Sequence, residues 1–146
     1  MQLPQPSGAI NSCRFGVQSA VIKNMHSLTH DTYEIVVERE RFDEPFFGQA
    51  GQFATLKFPG IDRPRPYSFA RAPENEKTGE HTFFIRRVLN GEVSQWLAAG
   101  DRTGESVEIG GPMGKFGLDA SLDPMVCIAG GSGMSAIKAI LEYACN

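Results

Sequence analysis

Arg65, Pro66, Tyr67 and Ser68 put a guanidinium, a rigid ring, a phenol and a hydroxyl side by side. Successive side chains of a strand face opposite ways, so Arg65 and Tyr67 share one face and Ser68 takes the other, or the edge. The arginine fork suits phosphate oxygens, the phenol ring gives a flat heterocycle a surface, and the hydroxyl donates or accepts. The four residues therefore suit a ligand aromatic at one end and phosphorylated further along. They equally suit an edge strand with turn prolines at Pro64 and Pro66. A second stretch, Gly91-Glu92-Val93-Ser94, opens a short helix. A helix start offers free backbone N–H groups to an anion, here beside a glycine and a small hydroxyl. An ordinary turn-plus-helix connection has the same residues. A third stretch, Gly130-Gly131-Ser132-Gly133, lies between an apolar run and a helical pattern. Its glycines let a backbone approach a pyrophosphate, with a helix N-terminus behind them.

The elements that must position these residues follow from periodicity. Residues 1–13 are rich in Pro, Gly, Gln, Ser and Asn and read as a flexible lead-in. Apolar and polar residues alternate, as in half-buried strands, over 15–22, 32–38 and 52–58, and further strands are expected over 65–70, 81–88 and 106–109. Turns or loops are expected at 24–31, 45–51 and 73–80. A short amphipathic helix is expected over 91–99, just before Gly100, with Trp96 and Leu97 among its residues. Six short strands with no long helix between them predict a small antiparallel barrel that closes on itself. After residues 110–117 the character changes. The run 124–129 is continuously apolar, as in a strand buried on both faces of a parallel sheet. A helix with Met134, Ile137, Ile140 and Leu141 on one side should follow the glycines. The organisation expected is a lead-in at 1–13, a barrel at 14–122, and the first strand, turn and helix of a nucleotide-binding unit at 123–146. One strand and one helix do not make a doubly wound sheet, so a longer polypeptide or a partner chain is expected to supply the rest.

Composition narrows the function. The chain has 146 residues, 41% hydrophobic and 21% charged, enough for one domain with a real core. A net charge of −3 gives no basic face for nucleic acid. No apolar run approaches the ~20 residues of a membrane span, and the N-terminus has no signal-peptide pattern, so a cytoplasmic location is the default. Cys13, Cys127 and Cys145 are scattered, and His26, His30 and His81 share no ligand spacing. Neither a disulfide framework nor a metal site is expected.

Taken in order, Arg65-Pro66-Tyr67-Ser68, then Ile85-Arg86-Arg87 leading to Gly91-Glu92-Val93-Ser94, then Gly111-Pro112-Met113-Gly114-Lys115-Phe116, then Gly130-Gly131-Ser132-Gly133 resemble the ferredoxin–NADP(H) reductase-type flavoprotein superfamily. Within it the chain is most similar to the reductase, or electron-transfer, components of bacterial oxygenases, over roughly residues 15 to 146. The resemblance implies an all-β, six-stranded antiparallel Greek-key barrel binding FAD, with one short helix, followed by an incomplete α/β unit for NADH or NADPH. It implies that Arg65 binds the FAD pyrophosphate, with Pro66 beside it, and that Tyr67 lies against the isoalloxazine. Ser68 would sit near the flavin nitrogen that receives hydride, which makes Tyr67 and Ser68 the candidate catalytic residues. The backbone around Ile85 and Arg86 would bond the flavin pyrimidine edge. Gly91, Glu92, Val93 and Ser94 would hold pyrophosphate, and Gly130, Gly131, Ser132 and Gly133 would receive the nicotinamide dinucleotide. Electrons would leave singly to a ferredoxin, an oxygenase component or a haem protein. No metal site, nucleic acid or membrane is implied.

Two departures stand out. Ala136 takes a place where many relatives have proline, and Arg71 one where they often have a small residue. The other readings are a non-catalytic flavin-binding electron-transfer subunit completed by a partner chain, and a small barrel serving as an interaction module.

Overall fold

The computed structural model describes residues 16–41, 48–121 and 123–146. The expected lead-in, Cys13, Phe15 and the 45–47 part of the expected loop lie outside the described residues. Eight elements follow in chain order: β1 (Val17–Ser27), β2 (Thr32–Arg39), β3 (Phe53–Lys57), β4 (Arg65–Ser68), β5 (Glu80–Arg86), α1 (Glu92–Ala98), β6 (Ser106–Met113) and α2 (Met134–Ala144). The strands form one antiparallel sheet in the order β4-β3-β6-β1-β2-β5. The last strand in sequence, β6, slots between β3 and β1, so the two ends of the sheet are β4 and β5.

Alternation explains the inward faces. Ala20 and Ile22 of β1, Ile35 and Val37 of β2, Ala54 and Leu56 of β3, Phe83 and Ile85 of β5, and Val107 and Ile109 of β6 form one buried core with Phe58 and Phe69. Each large side chain buried there contributes ~1.5–3 kcal/mol. An exposed ion pair such as Lys23–Glu38 contributes ~0.2–1 kcal/mol. The core therefore sets the fold.

Two strands run further than periodicity indicates. Residues 24–31 are expected to be a turn, but β1 continues to Ser27 and the turn is only 28–31. The cause is a bulge. Ile22 pairs with Val37 and Asn24 with Val36, so Lys23 is an extra residue and the inward phase shifts from Ile22 to Met25. β6 likewise runs past the expected end at residue 109, through Gly110, Gly111 and Pro112, and ends at Met113. A side chain at Gly110 would place its Cβ 2.8 Å from the Thr55 hydroxyl, so glycine lets β6 lie against β3.

The sheet does not close through a continuous ladder, as the barrel expectation had it. Its ends meet at one antiparallel bridge, Phe69 to Phe83, reinforced by the Ala70 amide donating to the Thr82 carbonyl at 2.8 Å. β4 is too short to do more. Pro66 carries no N–H, and Pro73 begins a single 3-10 turn soon after the strand.

Residues 124–129 form no strand. Val126 is 85% and Ile128 87% exposed. A doubly buried parallel strand needs neighbours, and none is paired with this run among the described residues. The helix α2 does form, but with a different inner face from the one expected. Ser135, Ala136, Ala139 and Ile140 are buried, Ile137 is half-buried, and Met134 and Leu141 are exposed. Small residues bring α2 close to Ala50 on the loop before β3. Gly51 adopts φ +96°, and a Cβ there would lie 2.5 Å from the Phe116 carbonyl oxygen and 3.0 Å from Ile140 Cδ1. The Lys138 ammonium donates to the Ala70 carbonyl at 3.1 Å and pairs with Glu142. Glu142 in turn accepts the Ala72 amide at 3.0 Å. So α2 is fastened to the segment that continues from β4.

Among the described residues no helix is long and apolar enough to cross a membrane. No cluster of three or more His, Cys, Asp or Glu side chains suited to a metal ion occurs among them.

Candidate functional site

β4, the end of β5 and the start of α1 enclose a cleft of about 530 Å³. Arg65, Pro66 and Tyr67 line it from β4, Phe84, Ile85 and Arg86 from β5, and Gly91, Glu92, Val93 and Ser94 from α1 and its cap. Val88 and Ser132 complete the wall. Residues far apart in sequence thus share one hollow, because the sheet curls until β4 and β5 nearly meet. A second hollow of about 470 Å³ adjoins it at Val88 and Ser94 and runs past Asn90 towards His30 and Asp31.

Tyr67 is half-buried, with its ring edge-on to Phe58 at 6.3 Å. Burial pushes its phenol up to about 12, against the lowering effect of the Arg65 charge. It remains a neutral group at any ordinary pH. Arg65 donates to the Glu92 carboxylate at 3.0 Å. Arg86 pairs with Asp31 at 3.1 Å. Hydrogen bonds from Thr29 and then Thr32 hold that Asp31 carboxyl below its ordinary value, so the pair keeps its charge.

The α1 start is a tight construction. Asn90 adopts φ 60°, the Gly91 amide donates to the Val88 carbonyl at 3.0 Å, and the Val88 amide donates to the Ser94 hydroxyl at 2.7 Å. A Cβ on Gly91 would come within 3.2 Å of the Val88 oxygen and 3.3 Å of Ser94 Oγ. The first intrahelical bond runs from Gln95 N–H to the Gly91 carbonyl at 2.9 Å, so the amides of Glu92, Val93 and Ser94 have no acceptor within the helix. Trp96 anchors the other end, with its ring 5.2 Å from Phe58 and the Arg102 guanidinium 4.4 Å above it.

Of the residues singled out from sequence, Arg65, Pro66, Tyr67, Ile85, Arg86, Gly91, Glu92, Val93, Ser94 and Ser132 line the cleft. Ser68, Gly130, Gly131 and Gly133 do not. Ser68 pairs with Phe53 at the end of β4, one residue past the lining. Gly131 lies beside the cleft: a Cβ on it would be 3.0 Å from the Arg86 guanidinium. Phe84 and Val88 were missed. Phe84 stands out of phase with the buried Phe83 and Ile85, and that parity was the available signal.

Comparison with known proteins gives the family. A family model described as an oxidoreductase FAD-binding domain matches residues 19–117. The chain is 37% identical over 124 residues to the xylene/toluene monooxygenase electron transfer component of Pseudomonas putida, covering 85% of this chain and 34% of that protein. It is 32% identical to the toluate 1,2-dioxygenase electron transfer component of the same organism, over 97% of this chain and 41% of the relative. Among solved structures, a ferredoxin reductase in carbazole 1,9a-dioxygenase superposes with a TM-score of 0.77 at 28% identity, over 88% of this chain and 38% of that one. The chain spans well under half the length of these relatives. The family-model match and these relatives show that the chain belongs to the oxidoreductase FAD-binding domain family, among the ferredoxin reductase-like flavoproteins.

Proposed function

We propose that the chain is the FAD-binding domain of an NAD(P)H-dependent oxidoreductase, taking hydride from NADH or NADPH and passing single electrons to an iron–sulfur or haem partner. One observation carries this: Arg65 and Tyr67, Ile85 and Arg86, and Gly91 to Ser94 all line the same cleft. The donor chemistry fits the cofactor. A guanidinium and three helix-start amides suit a pyrophosphate, a half-buried neutral phenol suits a flat ring, and the adjoining hollow gives the rest of a dinucleotide room.

Bound FAD supplies the redox chemistry, accepting two electrons with hydride and releasing them singly. The chain's own residues bind and orient. Arg65 and the amides at 92–94 take the pyrophosphate. Tyr67 supports the ring face, held in place by Phe58. The backbone of Ile85 and Arg86 meets the pyrimidine edge. Ser68 is assigned a hydroxyl contact at the flavin edge on the family resemblance alone. The glycine turn, with Ser132 in the cleft wall, receives the nicotinamide dinucleotide, and a cytoplasmic setting completes the proposal.

Titration of purified protein with FAD should give the visible absorption of bound flavin. Tyr67→Ala and Arg65→Ala should each weaken binding by about 1–3 kcal/mol, roughly 5- to 150-fold. Protein that takes up no FAD would overturn the proposal. A second reading draws on the exposed Val126 and Ile128: a non-catalytic flavin-binding electron-transfer subunit whose nucleotide layer comes from a partner chain. A flavin-loaded monomer by size exclusion counts against it.

A further inference from the structure

The cation best placed to take a phosphate is already bonded to an anion of the same cleft. Arg65 Nη2 and Glu92 Oε2 are 3.0 Å apart, and both residues line the hollow with Tyr67 and Ser94. Glu92 is the first residue of α1, where the helix dipole favours negative charge. Its carboxylate therefore occupies the arginine fork that would otherwise attract a phosphate. Its side chain is 67% exposed and that of Arg65 is 38% exposed, so the pair is partly solvated and can exchange partners.

We propose that Glu92 is an internal competitor for Arg65, an affinity-setting carboxylate that any phosphate-bearing ligand of the cleft must displace. The inference rests on the proposed FAD site and reverses the sign of Glu92's expected contribution. An approaching pyrophosphate meets a guanidinium that must give up or share a charge-assisted bond, next to a fixed like charge. The chain thus trades some affinity for an arginine held in the cleft. A ligand without phosphate gains nothing from Arg65 and loses nothing to Glu92.

The test is flavin-fluorescence titration of wild type, E92Q, R65A and the R65A/E92Q double variant, each with FAD and with riboflavin. E92Q removes no buried group and keeps the side-chain shape, so the fold is retained. The pair is of the strength of exposed ion pairs, so E92Q should bind FAD about threefold more tightly than wild type. Riboflavin affinity should not change. The gain should vanish in the R65A background, and it should shrink as ionic strength rises. Equal or weaker FAD binding by E92Q overturns the inference while leaving the FAD site intact. So does a gain that persists with riboflavin or without Arg65. Wild-type protein that binds no FAD overturns both the site and this inference.

Discussion

Residues 53–58 and 124–129 are apolar segments of similar length with opposite fates. The first makes β3 over Phe53–Lys57, with Ala54, Leu56 and the following Phe58 buried and ladders to β4 and β6 on its two sides. The second pairs with nothing among the described residues and leaves Val126 and Ile128 in solvent. The difference lies in the neighbours. Alternation marks a segment whose two faces have different surroundings, and in this sheet every alternating segment finds its partners within the chain. A continuous apolar run marks burial on both faces, which the run cannot supply for itself. The same contrast separates the supports of the cleft: β4, β5 and α1 belong to the paired sheet or its core, whereas Ser132 reaches the wall from the unpaired side.

Substitutions sharpen or break this contrast, the largest effect first. Phe83→Ala, at the bridge where the sheet ends meet, should cost ~3–5 kcal/mol by denaturant unfolding. A cost near zero would mean that the β4–β5 contact does not hold the sheet.

Acid comes next. Burial, and then the Arg39 charge, push His81 down from 6.5 to about 4. Between those values the unfolded chain takes up a proton that the folded chain refuses. Stability should therefore be full above pH 6.5, fall towards pH 4 and level off below it, a loss of at most about 3 kcal/mol. His81→Gln should flatten this dependence in thermal melts recorded against pH.

The α2 attachment is smaller. Burial raises the Glu142 carboxyl, but hydrogen bonds from Lys138 and the Ala72 amide outweigh it, and the group titrates below its ordinary value of 4.5. Its contribution is present above that value and is lost as pH falls through the lowered one. Glu142→Gln should loosen the helix by about 1 kcal/mol, read as faster amide exchange at Ala72 and along α2 with the sheet amides unchanged. Exchange that accelerates equally in β2 and β5 would show the two regions to be one cooperative unit. Smallest of all, Ile128→Ser should change stability by less than about 0.5 kcal/mol, since the side chain is 87% exposed. A cost of several kcal/mol would place that run in a packed layer.

Strands were expected at all six places, and β1, β2 and β3 were legible from alternation, because each has one face in the core. Bulges and glycines were not. Lys23 breaks the phase of β1, and Gly110-Gly111-Pro112 resembles a stop signal while the strand carries on through it. The residues that share the cleft were legible as chemistry, since the types and order of Arg65, Tyr67, Gly91 and Ser94 suit an aromatic, phosphorylated ligand. Side-chain partners were not: nothing in the spacing indicates that Glu92 reaches Arg65 or that Asp31 reaches Arg86. Those pairs depend on how far the sheet curls, and sequence separation does not carry that information.

Gly51 couples parts of the molecule that otherwise behave separately. The lack of a Cβ lets the loop before β3, the main chain at Phe116 and the tip of Ile140 crowd into one spot. Any methyl there would act as a wedge, prising the helix and the 114–117 strand-exit from the sheet at once. The tolerance of this junction to mutation is therefore governed less by the residues that bond across it than by one position with no side chain at all.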